Sequence, residues 1–120
     1  MLKHRFTICN LWRPIVGPLL DAPLALIDAR TVAPEDYVTH DLIYRDRVGE
    51  IYALTHNPRH LWFYAPAMSA DEALLLKCFD SDRNVAARFM PHTSFEDPTA
   101  PASKPNRQSI ELRVLLFFRD

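Results

Sequence analysis

Prolines limit the secondary structure of this chain more than any other residue type. Ten of them are spread over its 120 residues. A proline inside a helix removes a backbone hydrogen bond and clashes with the preceding turn, so no long helix can run across these positions. Most segments between the prolines have the length of a strand. The chain is therefore predicted to be mainly β.

Length and charge restrict the domain count and the partners. A chain of 120 residues with 48% hydrophobic residues and a net charge of −1 is predicted to be one folded domain with a modest core. This charge balance argues against a nucleic-acid partner. The longest apolar runs fall far short of the roughly 20 residues that cross a bilayer, so no membrane role is expected. Cys9 and Cys78 are expected to be free thiols in a reducing compartment, which predicts a cytoplasmic location.

Alternating or β-favouring sequence marks the strands. The segments RFTICNLW, PLALIDA, EIYALTH, HLWFYAP and RQSIELRVLLFF read as strands. A short helix is expected to begin at 34–36, where Pro-Glu-Asp suits a first helical turn. SADEALLLKCF is ambiguous, because Ser69 and Glu72 form a capping-box pattern whereas the three leucines after Ala73 fit a buried strand. A turn followed by a strand is the preferred interpretation.

The last predicted strand carries polar groups on one face. Alternation places Arg107, Ser109, Glu111 and Arg113 together and Ile110, Leu112 and Val114 on the opposite face. Four polar groups on one strand face predict a wet or ligand-filled interior. The competing interpretation is a structural β domain in which these residues form a solvated sheet face.

His92 is the histidine with the most informative surroundings. A non-haem iron oxygenase needs two histidines and a carboxylate as iron ligands, and its keto acid needs an arginine to bind the far carboxylate. Arg107 and Arg113 follow His92 along the chain, after one loop and in the last predicted strand. The same spacing also fits an ordinary loop histidine followed by an arginine-bearing strand. His60 is predicted to pack beside the aromatic residues of HLWFY and to hydrogen bond through one ring nitrogen.

The blocks NLWRPI, PLALIDAR, HLWFY, DEALLLKCFDS, PHTSFEDP and RQSIELRVLLF, in this order, resemble the CmcJ/NvfI-type hydroxylase/desaturase family. The resemblance implies a double-stranded β-helix, a jelly-roll fold related to the cupins. It also implies Fe(II) and 2-oxoglutarate as cofactors and a small-molecule substrate of secondary metabolism.

Site residues follow from the same resemblance. His92 corresponds to the distal iron ligand, with His60 as the alternative. Arg107, Ser109 and Arg113 correspond to the residues that bind 2-oxoglutarate, and Arg13 to a position near the cosubstrate.

One expected element of the family pattern is not found in the sequence. The resemblance implies a His-x-Asp pair that supplies the first two iron ligands, yet none of the five histidines is followed two positions later by Asp or Glu. Residues 1–120 are thus predicted to be one domain, the C-terminal portion of an oxygenase jelly roll without its N-terminal strands. Open strand edges would then favour self-association or a partner chain. The alternative is a non-catalytic small-molecule-binding or assembly module that pairs with another chain, such as a methyltransferase.

Overall fold

The computed structural model describes residues 4–119, and within them the regular structure is almost entirely β. The strands are β1 (Phe6–Pro14), β2 (Leu24–Ile27), β3 (Tyr37–Ile43), β4 (Val48–Leu54), β5 (Trp62–Tyr64), β6 (Leu74–Asp80), β7 (His92–Ser94) and β8 (Ser109–Phe117). Two single-turn 3-10 helices occupy Ala29–Thr31 and Pro34–Asp36. In this part of the chain no helix is long and apolar enough to cross a membrane.

Six of the strands form two antiparallel sheets, and the other two form a separate hairpin. The first sheet has the order β6-β1-β8, the second has the order β5-β2-β7, and β3 pairs with β4 alone. Strands that are distant in sequence are therefore neighbours in both sheets, as expected for a jelly roll. The predicted mainly β, jelly-roll architecture is confirmed.

The strand register explains which side chains face the interior. Asn10 lies opposite Leu76 on one side and Arg113 on the other, and directly opposed residues project from the same face of a sheet. The inner face of the first sheet thus combines apolar β6 residues with the polar residues of β8. A bulge between Ile8 and Cys9 shifts the β1–β6 register near the end of this face.

The core lies between the two sheets. Trp12, Leu19, Leu24, Met68 and Leu76 form one buried cluster, and Leu76 is fully inaccessible to solvent. Burial of such side chains stabilises the fold by about 1.5–3 kcal/mol each. The predicted buried strand in PLALI corresponds to β2.

Two ambiguous segments form turns followed by strands. The Ser69 amide donates to Glu72 Oε2 at 2.7 Å, so the capping-box contact forms, but the chain leaves this turn as β6 and not as a helix. Residues 34–36 likewise form a single 3-10 turn that leads directly into β3. The helix expected there does not continue, because the residues after Asp36 pair with β4 along their full length.

A buried carboxylate ties the first strand to the end of β6. Arg5 donates to both oxygens of Asp80, at 3.1 and 2.8 Å, and Lys77 Nζ lies 3.0 Å from the same carboxylate. These cations, with the Arg5 hydrogen bonds as the largest cause, hold the pKa of Asp80 well below its usual value. The charged hydrogen bonds of Asp80 thus link two parts of the chain that are 75 positions apart.

The outer face of the first sheet is apolar and exposed. Leu75, Leu11 and Leu112 form a row across all three strands, and their exposed fractions are 66%, 43% and 60%. Contiguous apolar surface of this kind is typical of an interaction face.

Candidate functional site

A cleft of about 710 Å³ opens where the two sheets meet the β3–β4 hairpin. Its walls come from both sheets and from the hairpin, and most of them are apolar or aromatic. Such a mixture of an apolar lining with a few polar groups is typical of small-molecule sites. The lining residues are Ile8, Tyr37, Ile51, Tyr52, Ala53, Leu54, Trp62, Cys78, Phe79, Phe89, Met90, Pro91, His92, Thr93 and Arg113.

His92 begins β7 at the wall of this cleft. Its Nδ1 lies 2.9 Å from the carbonyl oxygen of Met90. Because a carbonyl oxygen only accepts hydrogen bonds, Nδ1 carries a proton, and in the neutral ring Nε2 is then the nitrogen with the lone pair. Histidines that bind metals are typically oriented in this way by a bond from the other ring nitrogen to a carbonyl.

Arg113 lies on β8 and lines the same cleft. Its Nε donates to Asn10 Oδ1 at 3.0 Å, and Asn10 Nδ2 donates to Glu111 Oε1 at 2.7 Å. Asn10 is only 1% exposed, whereas the Arg113 side chain is 66% exposed. A buried amide therefore holds one edge of the guanidinium, and Glu111 Oε1 lies 3.9 Å from Nη2, so an anion that binds Arg113 shares the group with this carboxylate.

Asn10 was not among the residues predicted from the sequence. The signal for it was present, because Asn10 is the one polar residue in the alternating series Ile8, Asn10, Trp12 of a strand that is otherwise apolar on that face. A buried amide in such a position needs polar partners. Those partners are Glu111 and Arg113, more than 100 residues away.

Arg107 and Ser109 lie at the beginning of β8, outside the cleft lining. The Arg107 amide donates to Asp21 Oδ2 at 3.0 Å, and its Nη1 donates to the Ala22 carbonyl at 2.7 Å. Ser109 is opposite Pro14 in the β1–β8 ladder. The structure therefore brings His92 together with Arg113, and it places Arg107 at the loop that leads into β2.

Arg13 is on the opposite face of β1 from the cleft. Successive residues of a strand project to opposite faces, so the buried Trp12 faces the core and Arg13 faces outward beside Ile110. The structure thus does not bring Arg13 to the residues that line the cleft.

His60 belongs to a separate polar cluster at the base of the hairpin. Its Nε2 lies 3.0 Å from Asp36 Oδ2, and both side chains are almost fully buried. Asp36 also accepts from the Ala33 amide and from Asn57 Nδ2. These bonds, that of His60 first, lower the pKa of Asp36 to about 2. The predicted ring-nitrogen hydrogen bond of His60 is present, and its partner is a carboxylate.

Cys78 is the thiol on the cleft wall, and Cys9 is buried nearby in β1. Both are free cysteines, as predicted. Burial raises the pKa of the Cys78 thiol above its usual value. Burial outweighs the nearby Arg113 charge, which acts in the opposite direction, and a protonated thiol is a weak nucleophile.

The described residues do not hold a complete metal centre. Over residues 4–119, no three side chains of His, Cys, Asp or Glu lie close enough together to bind one ion. An Fe(II) site of the facial-triad type needs two histidines and a carboxylate. The cleft offers His92 as a ligand and Arg113 as a cation, and therefore fits such a site only in part.

Comparison with known proteins places this arrangement in a family. The family model described as an oxidoreductase/YMDC permease-like domain matches residues 1–117. The hydroxylase/desaturase asaB of Aspergillus flavus is 38% identical over 135 residues, which cover 100% of this chain and 59% of asaB. The Fe(II)/2-oxoglutarate-dependent dioxygenase nvfI of Aspergillus novofumigatus is 36% identical over 119 residues, covering 98% of this chain and 42% of nvfI.

A solved structure is similar over nearly the whole chain. The iron and alpha-ketoglutarate-dependent endoperoxidase NvfI matches with a TM-score of 0.89 and 33% identity, over 97% of this chain and 43% of NvfI. The chain thus spans about half the length of the curated relatives and solved structures that it matches.

Proposed function

The chain belongs to the hydroxylase/desaturase family of iron(II)- and 2-oxoglutarate-dependent oxygenases, and on that premise we propose that it forms the keto-acid-binding portion of such an oxygenase. The reaction class is oxidation of a small molecule of secondary metabolism. Residues 1–120 would supply the C-terminal portion of the jelly roll.

The observation that carries this proposal is the pairing of His92 and Arg113 in one cleft. His92 would supply one iron ligand through Nε2, with its ring oriented by the Met90 carbonyl. Arg113 would bind the far carboxylate of 2-oxoglutarate, because a planar guanidinium matches a carboxylate in two parallel hydrogen bonds. Arg107 and Ser109 remain the second candidates for that role.

The remaining iron ligands must come from other residues than those described. A His-x-Asp pair from another polypeptide segment, in this protein or in a partner chain, would complete the donor set at His92. Until it is supplied, the described residues fit 2-oxoglutarate better than they fit iron.

A direct test is calorimetric titration of the purified chain with 2-oxoglutarate, compared with Arg113→Met and Arg107→Met. We expect Arg113→Met to remove binding, because a carboxylate in this cleft would lose its cation. Arg83→Met, an exposed arginine outside the cleft, is the control and should leave the affinity unchanged. Loss of binding in Arg107→Met alone would move the keto-acid site to the beginning of β8.

A second titration, under anaerobic conditions, tests whether iron binds. A polypeptide that corresponds to the portion of nvfI that this chain does not match is added with Fe(II) and 2-oxoglutarate. We expect a visible charge-transfer band only when both polypeptides are present, and its loss in His92→Ala. A band that persists in His92→Ala would remove His92 from the iron site.

The second candidate function is a non-catalytic small-molecule-binding module. It is favoured by the incomplete donor set of the described residues. In that case 2-oxoglutarate or another dicarboxylate would bind with the same dependence on Arg113. Iron would leave the affinity unchanged even in the presence of the added polypeptide.

A further inference from the structure

A second cavity, of about 500 Å³, adjoins the cleft and shares three aromatic rings with it. The rings of Tyr37, Tyr52 and Phe89 are in mutual contact, with centroids 5.1 to 5.6 Å apart. This second space is the ring cavity, and neither His92 nor Arg113 lines it. Its volume falls within the range of small-molecule sites.

The lining of the ring cavity is mixed, with aliphatic and aromatic side chains, two of them tyrosines, and one charged residue. Val32, Pro34 and Ala86 add aliphatic surface to the aromatic rings. Arg88 is the one charged side chain among the described residues that line it. A single cation among such side chains favours a ligand of negative charge, because a guanidinium forms charge-assisted hydrogen bonds with a carboxylate.

Arg88 is held in place by contacts that do not neutralise it. Its Nε donates to the Asp80 carbonyl at 3.1 Å, and its guanidinium carbon lies 5.2 and 5.1 Å from the ring centroids of Phe79 and Phe89. Among residues 4–119 it has no carboxylate partner within ion-pair distance. The side chain is thus oriented in advance while its positive charge remains available.

We propose that the ring cavity is a binding site for a planar aromatic carboxylic acid. The aromatic body of the ligand packs against Tyr37, Tyr52 and Phe89, since aromatic rings favour edge-to-face and offset contacts. The carboxylate binds the guanidinium of Arg88. This site is additional to the keto-acid site proposed for the cleft, since it uses a different arginine and does not require iron.

The experiment is calorimetric titration of the full chain with 2-naphthoate and, as the matched neutral probe, 2-naphthalenemethanol. We expect 2-naphthoate to bind at least about tenfold more tightly, because only the acid can form charge-assisted hydrogen bonds with Arg88. Equal affinity of the two probes, or no binding of 2-naphthoate to the folded chain, would overturn the proposal.

Three variants locate the site. Ala86→Phe fills the ring cavity without removing a contact of Arg88, and we expect it to abolish 2-naphthoate binding at an unchanged melting temperature. Arg88→Met should reduce the affinity for the acid to that of the alcohol. Arg113→Met should leave 2-naphthoate binding unchanged, and a loss of binding in this variant would place the acid in the cleft and contradict the proposal.

Discussion

Asn10 is the buried residue on which the orientation of Arg113 depends. Replacing it by leucine keeps the approximate volume but removes both hydrogen bonds to the β8 side chains. Because Arg113 and Glu111 are partly exposed, water can replace Asn10, and we expect a loss of about 1 kcal/mol in the free energy of unfolding.

The larger expected effect of Asn10→Leu is on 2-oxoglutarate. An arginine without the bond that orients it must be ordered when the ligand binds, so we expect the affinity to fall by roughly tenfold. Urea unfolding and calorimetric titration measure the two effects separately. Wild-type affinity in a folded Asn10→Leu variant would show that Arg113 needs no support from β1.

Asp36 makes the stability of the hairpin base depend on pH. Its folded-state pKa of about 2 lies below the ordinary value of 3.8, so the ionised form is favoured by folding. Its contribution is therefore complete above about pH 4 and is lost as the pH falls towards 2. We expect the difference in unfolding free energy between wild type and Asp36→Asn to shrink as the pH falls below about 4.

Urea titrations at a series of pH values measure this difference, with Asp46→Asn in the exposed hairpin turn as the control. The unfolding free energy of the control should equal that of the wild type at every pH. A difference that grows on acidification would mean that Asp36 is not stabilised as a carboxylate in the folded protein.

Among the elements, the loop after β1 is packed tightly at Gly17. A Cβ at this position would lie 2.8 Å from Ser69 Cα and 2.9 Å from the Ala70 amide nitrogen. Both are backbone atoms that cannot turn away, so we expect Gly17→Ala to destabilise the protein by about 1–3 kcal/mol. The loop is also tied to this segment by a hydrogen bond from the Leu19 amide to the Met68 carbonyl.

Gly49 in β4 provides the matched control for this substitution. Its nearest neighbour for an added Cβ is Tyr44 Cε2 at 3.5 Å, an ordinary contact. Gly49→Ala should leave stability unchanged or raise it, because glycine is unfavourable within a strand. Thermal melting of both variants tests the comparison. Equal melting temperatures would show that the 68–70 segment moves to accept a side chain.

At the scale of the whole molecule, the shape and the surface both indicate that strand edges and apolar surface are left uncovered. The radius of gyration is 16.2 Å, whereas a compact domain of this length would have about 13.5 Å. Among residues 4–119 the β3–β4 hairpin pairs with no other strand, and the row of Leu75, Leu11 and Leu112 is exposed on the outer sheet face. We therefore expect the isolated chain to self-associate.

The double variant Leu75→Thr/Leu112→Thr tests whether this row drives the association. Threonine suits a strand but removes most of the apolar surface, so the monomer fraction in sedimentation velocity should rise. Val38→Thr, on the exposed hairpin, is the control. If the control has the same effect as the double variant, the hairpin and not the sheet face is the contact.

Local sequence pattern was sufficient for the strands and for part of the site. Proline spacing excludes long helices, and the period of two in RFTICNLW and RQSIELRVLLFF predicts β1 and β8, because alternation is the pattern of a strand whose two faces have different surroundings. His92 could be singled out because a family motif surrounds it. The short helix expected to begin at 34–36 forms only as a single 3-10 turn, since strand pairing with β4 begins directly after Asp36.

Contacts between residues that are distant in sequence could not be predicted from local sequence pattern. Which strands are neighbours, the pairing of Asn10 with Arg113 across 103 positions, and the bond of His60 to Asp36 all depend on how the sheets close. The same alternating strand can pair with many others, and its partner is selected by the packing of the core and not by its own residues. For that reason the sequence left both Arg107 and Arg113 as candidates for the keto acid, with Arg13 as a weaker one, whereas the folded structure places Arg113 in the same cleft as His92.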